Sequence, residues 1–172
     1  MKKIGIVTDS HSSISQEEAK KLGIFVLPMP FYIDGECYYE SVTLSRELFF
    51  EKLTSGADIS TSQPSPTAVM EIWDKALEEY EKILYMPISS GLSSSYNTAM
   101  MLAQEEKYEG RVLVVDDGQV AAPLHQMILD TLDMIEKGYE AEHIRELLEK
   151  AGDRMMIYIA LQTLEFLKKG GR

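Results

Sequence analysis

Short apolar runs and amphipathic segments alternate along this chain of 172 residues. The runs at 4–7, 83–86 and 112–115 have the length and composition of buried strands. Between them, apolar residues recur at helical spacing, for example at Val69, Ile72, Trp73 and Ala76. Strands that alternate with helices predict an α/β fold, with a mostly parallel sheet and helices on both faces.

Residues with known capping and turn preferences mark the ends of several elements. Ser15 begins a capping-box pattern and predicts the start of a helix, and Ser65 followed by Pro66 predicts another. Asp34-Gly35 lies in the middle of the run 31–39, so we expect a hairpin there.

The remaining segments are assigned from the same signals. We expect a loop at 56–65, a helix at 96–106, a last strand at 155–160 and a closing helix at 161–169. Two further helical faces are expected, made of Leu124, Met127, Ile128, Thr131 and Ile135, and of Ile144, Leu147, Leu148 and Ala151. No linker or repeat interrupts this pattern, which indicates a single α/β domain over residues 1–172.

Composition and charge exclude several classes of function. A net charge of −11 disfavours a nucleic-acid binder, which needs clustered basic residues. Cys37 is the only cysteine, so an intrachain disulfide is impossible and a zinc cluster is not expected. No apolar stretch approaches the length of a membrane span, and the N-terminal run is too short for a signal peptide. We therefore expect a cytoplasmic protein without stable membrane insertion.

Three segments rich in hydroxyl groups follow predicted strands or precede predicted helices. They are residues 8–13, 61–65 and 89–95. Ligands of parallel α/β sheets bind beyond the carboxyl ends of the strands. If all three segments met at one sheet edge, they would form a polar rim with many donors and almost no charge. The 89–95 segment has two interpretations, a serine-rich helix cap or an anion site at a helix N-terminus.

Other candidate chemistry is weaker. The sequence contains no glycine-rich dinucleotide fingerprint and no phosphate-loop motif, and its histidines lack metal-ligand spacing. Ser93, His11 and Asp9 are the components of a conceivable hydrolase triad, but the nucleophile elbow lacks its second glycine. Asp116 and Asp117 are interpreted as a solvated turn in preference to a metal site. We expect no cofactor, no metal and no catalytic residue.

Four segments together resemble the DegV family of fatty-acid-binding proteins. They are Val7-Thr8-Asp9-Ser10, the Thr-Ser-Gln-Pro-Ser-Pro run at 61–66, the Ser-Ser-Gly-Leu-Ser-Ser-Ser-Tyr run at 89–96 and the Leu-Lys-Lys-Gly-Gly-Arg ending at 167–172. Their order and spacing match the family pattern, and the resemblance covers essentially the whole chain.

The resemblance implies a non-enzymatic, two-lobed α/β protein that sequesters one long-chain fatty acid. The acyl tail would lie in an apolar tunnel, and a separate fatty acid kinase would convert the presented carboxylate into an acyl phosphate for phospholipid synthesis. The carboxylate-binding residues carried over from the family are Thr61 or Ser62, Ser93 and the amide of Ser94. Arg172 is a weaker candidate for the same region.

Three departures from the family pattern are visible. Ser94-Ser95 stands where the family usually has Gly-Thr, and the stretch 116–124 lacks the usual Asp-Ser and glycine-rich pattern. The chain also stops at Arg172, where the family continues into a second lobe, so we expect the N-terminal lobe with the second lobe missing. Two alternatives therefore stay open: an interaction or regulatory domain without lipid binding, and a serine-dependent hydrolase. A homo-oligomer also stays open.

Overall fold

The computed structural model describes residues 2–40, 42–158, 160 and 164. Strands and α-helices within these residues are numbered in chain order. They are β1 (Lys2–Asp9), α1 (Gln16–Leu22), β2 (Phe25–Leu27), β3 (Pro30–Ile33), β4 (Glu36–Tyr39), α2 (Arg46–Thr54), β5 (Ile59–Thr61), α3 (Pro66–Glu79), β6 (Tyr80–Met86), α4 (Ser95–Leu102), β7 (Val112–Val114), α5 (Ala121–Glu136) and α6 (Ala141–Gly152).

The main sheet has four parallel strands in the order β2-β1-β6-β7. Its central strands β1 and β6 are in register, with Val7 opposite Tyr85 and Thr8 opposite Met86. Because the strands are parallel, their carboxyl ends lie along one edge, where connecting loops can form a binding site. The predicted parallel sheet is therefore confirmed.

Helices cover both faces of this sheet. On one face, Ile6, Leu84 and Met86 pack in a cluster with apolar residues of α1, α5 and α6. On the other face, Ile83 and Tyr85 pack with apolar residues of α3 and α4. Alternate residues of one strand thus feed two separate cores, as expected for a parallel sheet buried on both sides.

A second sheet is antiparallel, with strand order β4-β3-β5. Asp34 and Gly35 both adopt positive φ, 51° and 83°, which confirms the predicted hairpin turn between β3 and β4. The loop predicted at 56–65 was wrong in part, because Ile59–Thr61 pairs with β3. A strand of three residues carries too little periodicity to be identified without its pairing partner.

The chain divides into two compact units. One contains Met1–Leu27 and Pro64–Met156, and therefore the whole parallel sheet; the other is built on Pro28–Gln63 and contains the antiparallel sheet. Compact units can belong to one domain, so the single domain over residues 1–172 stays a prediction.

The predicted starts of α1 and α3 are confirmed, and the predicted end of α4 was wrong. Ser15 and Ser65 cap α1 and α3, and their hydroxyls accept N–H groups of Glu18 and Ala68 at 3.1 and 3.2 Å. The helix expected to reach residue 106 ends at Leu102.

Two elements were predicted in the C-terminal segment, a strand at 155–160 and a helix at 161–169. Residues 155–158 form no strand, and the side chains of Met156 and Tyr158 are 74% and 87% exposed. Hydrophobicity signalled a buried strand there, but a strand also needs a partner for its backbone groups. The closing helix predicted at 161–169 lies outside the described residues, apart from Leu164.

Candidate functional site

The candidate site lies where β1 and β6 end side by side. Asp9, the last residue of β1, is fully buried, and its Oδ2 accepts the Ile88 N–H at 2.9 Å. Its Oδ1 accepts the His11 N–H at 2.9 Å and lies 3.2 Å from His11 Nδ1. Asp9 therefore links the turn after β1 to the segment that follows β6 through hydrogen bonds. The prediction of a polar loop at 8–13 was wrong for Thr8 and Asp9, which belong to the strand and are buried.

The 89–95 segment is held in a tight turn by its own backbone. The carbonyl of Ser89 accepts the N–H groups of Leu92 and Ser93 at 2.9 and 3.1 Å. The hydroxyl of Ser89 accepts the Gly91 N–H at 3.2 Å. The N–H groups of Gly91, Leu92 and Ser93 are therefore all bonded to Ser89. The turn places Ser93 and Ser94 directly before α4.

Ser93 and Ser94 present a hydroxyl and an amide at the start of α4. Ser93 Oγ accepts the Ser95 N–H at 3.2 Å, and the hydroxyl can still donate its own proton. The Ser94 side chain is exposed and forms no cap hydrogen bond. No acceptor within the described residues takes the Ser94 N–H. An anion site at this helix N-terminus stays a prediction, and its physical basis is the negative charge that helix N-termini attract.

A turn after β7 supports this segment from behind. The carbonyl of Gln119 accepts the Ser89 N–H at 3.0 Å, and Asp116 Oδ1 accepts the Ser90 N–H at 3.2 Å. Asp117, between them, is 1% exposed, and its Oδ1 accepts the Gln119 N–H at 2.9 Å. Burial raises the pKa of the Asp117 carboxyl from its ordinary 3.8 to about 6.

The burial of Asp117 corrects one expectation, because its side chain is not part of a solvated turn. Asp116 and Asp9 lie close enough to Asp117 to raise the pKa of its carboxyl further. The polar rim made of the three hydroxyl-rich segments stays a prediction. Among the described residues, no group of three or more acidic, histidine or cysteine side chains is arranged to hold a metal ion.

The other predicted binding residues lie elsewhere. Thr61 is the last residue of β5 and pairs with Phe31, and both Thr61 and Ser62 are exposed. Ser62 Oγ donates to the Gln63 carbonyl at 3.1 Å. Both residues belong to the unit built on Pro28–Gln63, so their convergence with Ser93 and Ser94 on one ligand stays a prediction. Arg172 lies outside the described residues.

Of the conceivable hydrolase triad, the structure shows the Asp9–His11 pair. Ser93 Oγ accepts the Ser95 N–H, a bond that does not use the hydroxyl proton of Ser93. No strained strand-to-helix elbow is present at Ser93 within the part of the chain that the structure describes, since Ser13, Asp34 and Ala121 are its only non-glycine residues with positive φ.

The family assignment follows from sequence comparison. A family model described as an uncharacterised protein of the DegV family matches residues 3–172. A DegV domain-containing protein of Deinococcus radiodurans is 34% identical over 170 residues, which cover 98% of this chain and 60% of the relative. The chain belongs to the DegV family.

Solved structures of DegV proteins share the fold. One is a DegV family protein from Thermus thermophilus that is described as binding fatty acid. It is 33% identical to this chain with a TM-score of 0.88, and the match covers 99% of this chain and 60% of that chain. A Thermotoga maritima protein described as revealing fatty acid binding function is 25% identical, with a TM-score of 0.75 and coverage of 87% and 55%. The chain thus spans about 60% of the length of its curated relatives.

Ser94, found where the resemblance implies a glycine, causes no backbone strain. It has φ −72° and ψ −3°, a helical conformation open to any residue. The side chain at this position therefore needs no special backbone conformation. Across the described residues, no helix combines the length and the apolarity that a membrane span requires.

Sequence reasoning missed the burial of Asp117 and Gln119 beside the candidate site. Both side chains are 1% exposed, yet aspartate and glutamine after a strand normally indicate a solvated turn. The one available signal was Gly118, whose φ of 69° permits the sharp turn that buries its two neighbours.

Proposed function

We propose that this chain is a carrier that binds one long-chain fatty acid and holds its carboxylate at the start of α4. Ser93 Oγ and the Ser94 N–H supply donors, and Thr61 or Ser62 is the candidate for a further hydroxyl. The observation that carries the proposal is that Ser94 is exposed at a helix N-terminus and that no acceptor among the described residues takes its N–H.

The energetics of such a complex divide between tail and head group. Each buried methylene of the tail contributes about 0.8 kcal/mol, so a long tail supplies most of the affinity. The carboxylate then needs donors, because an unpaired buried charge is strongly destabilising. A hydrogen bond to a charged group contributes about 1.5–3 kcal/mol, enough to fix the orientation of the head group.

The wider role follows the family resemblance. The chain presents the carboxylate to a separate fatty acid kinase in the cytoplasm, and the acyl phosphate that forms there enters phospholipid synthesis. The exposure of Ser94 supports such presentation, since a partner enzyme must reach the carboxylate oxygens. Arg172 is proposed to add a positive charge to the same region.

Substitution of Ser93 tests the head-group assignment. Loss of one charge-assisted hydrogen bond in S93A should weaken fatty-acid binding by about tenfold or more. Ser90, an exposed serine of the same segment, provides the matched control, and S90A should bind as the wild type does. Titration calorimetry with oleate, together with circular dichroism to verify the fold, measures both effects.

Native mass spectrometry of the purified chain provides the second test. A co-purifying fatty acid supports the carrier role, and its loss in S93A supports the assigned head-group site. A chain that purifies empty and binds no added fatty acid would instead support the alternative, an interaction or regulatory domain without lipid binding.

A further inference from the structure

Two buried oxygen atoms in the turn after β7 lack hydrogen-bond partners. Asp117 Oδ2 and Gln119 Oε1 receive no hydrogen bond from any residue that the structure describes. Both atoms are acceptors, and both side chains are 1% exposed. A buried polar atom without a partner is destabilising, so two neighbouring ones point to a missing donor.

This turn determines the position of the proposed carboxylate-binding segment. Gln119 O accepts the Ser89 N–H, and Asp116 Oδ1 accepts the N–H groups of Ser90 and Gly118. The Asp117 side chain shapes the turn in its own right, because its Oδ1 accepts the Gln119 N–H. A change in the charge of Asp117 therefore acts on the backbone that Ser89 and Ser90 contact.

The charged groups around Asp117 favour a neutral carboxyl. Asp116 on the same turn and Asp9 on β1 both add negative charge, and Asp9 is itself bonded to His11. Helix α6 packs its Gly152 on the Asp117 backbone, and the charged pair Arg145–Glu149 on that helix is closed at 2.9 Å. On helix α5, His125 pairs with Glu18 at 3.2 Å. No cation among the described residues is paired with Asp117 in the structure, and burial keeps its pKa near 6.

We propose that Asp117 is a proton-binding positioning residue for the 89–95 segment. The missing donor is a proton on the Asp117 carboxyl group. This proton turns Asp117 Oδ2 from an unsatisfied acceptor into a donor, and Gln119 Oε1 in the same turn is the second unsatisfied acceptor. Loss of this proton leaves a buried anion beside Asp9 and Asp116, and the turn shifts away with Ser89 and Ser90. This inference rests on the proposed function for the identity of the ligand alone.

The consequence is a fatty-acid affinity that decreases as pH rises through about 6. Two effects act in the same direction, since deprotonation displaces the binding segment and adds a negative charge near the ligand carboxylate. A coupling of half to one pKa unit corresponds to a decrease of about threefold to tenfold.

Nuclear magnetic resonance on the ligand-free protein tests the coupling without any lipid. We expect the Asp117 carboxyl carbon and the amides of Ser89 and Ser90 to titrate together, with a common midpoint near pH 6. In D117N the amide titration should vanish, whereas in D130N, which replaces an exposed aspartate of α5, it should be unchanged. The wild-type titration alone decides the question if D117N fails to fold.

The possible outcomes separate the two proposals. Amides that do not titrate, or an Asp117 midpoint near 4, would overturn the proton-binding role. A carboxyl signal that shifts when sodium or magnesium is added at constant pH would overturn it in favour of a bound cation. Amides that titrate with Asp117 in a protein that binds no oleate at any pH would support the proton coupling and refute the proposed ligand.

Discussion

Replacement of Asp117 by asparagine should stabilise the protein more at neutral pH than at acidic pH. The wild-type carboxyl is 1% exposed, and one of its oxygens has no partner within the described chain. Ionisation of such a group in the folded state is unfavourable, since burial removes water and Asp9 and Asp116 repel the charge. Asparagine keeps the shape and the acceptor for the Gln119 N–H, and it does not ionise.

The magnitude follows from the pKa difference between the folded and the unfolded chain. A value of about 6 against the ordinary 3.8 corresponds to about 3 kcal/mol in all, at about 1.4 kcal/mol per pKa unit. Because the pKa of Asp117 is raised on folding, its stabilising contribution is complete below 3.8 and is lost as pH rises to about 6. Between about pH 4 and about pH 7.5, the wild type should therefore lose about 2 kcal/mol relative to D117N.

Urea denaturation followed by circular dichroism measures this difference. The free energy of unfolding is determined for wild type, D117N and D130N at several pH values. Because each variant shares all but one of the 28 acidic residues with the wild type, the contributions of the shared residues cancel in each difference. D130N is the control, since the Asp130 side chain is exposed.

Parallel stability curves for wild type and D117N would refute this reasoning. They would show that Asp117 ionises as easily in the folded chain as in the unfolded one. A difference that decreases with pH would also contradict it, since that result requires an ion pair that stabilises the carboxylate.

Three further substitutions test the packing and the capping. An added Cβ at Gly152 would lie 2.2 Å from the Asp117 carbonyl oxygen, so G152A should lose about 1–3 kcal/mol of stability in urea denaturation. G91A is the control, because the atom nearest to its added Cβ is 3.5 Å away and little change in stability is expected. S65A removes the acceptor that caps α3 and should lower the free energy of unfolding by about 1 kcal/mol; an unchanged value would contradict the capping role. W73A empties a fully buried position and should lower the free energy of unfolding by about 3–5 kcal/mol. Unfolding is followed by circular dichroism, because Trp73 is the only tryptophan and its replacement removes the tryptophan fluorescence. A loss below about 1 kcal/mol would contradict its place in the core.

Local signals were sufficient for much of the fold. Ser15 and Ser65 mark helix starts through hydrogen bonds that span only three residues, and Asp34-Gly35 marks a turn that needs positive φ. Apolar periodicity found the face of α3, because the buried residues of a helix must repeat with its turn. One exception is Leu147, which was assigned to a buried helical face and is 36% exposed.

The candidate site was predictable in part. The hydroxyl-rich run at 89–95 was visible as a cluster of small polar residues before a helix, and Ser94 within it is exposed. The supporting turn at 116–119 was not visible, because its contacts with Ser89 and Ser90 cross more than 25 residues of sequence.

The sequence by itself determined the alternation of strands and helices, the caps and the family. These depend on interactions between residues that are near one another in the chain, or on motifs that can be read in order. Only the tertiary structure decided that Asp9 and Asp117 are buried, that residues 59–61 form a strand and that residues 155–158 do not. Burial and strand pairing depend on which distant segments pack together, and a residue's own type does not specify its neighbours in space.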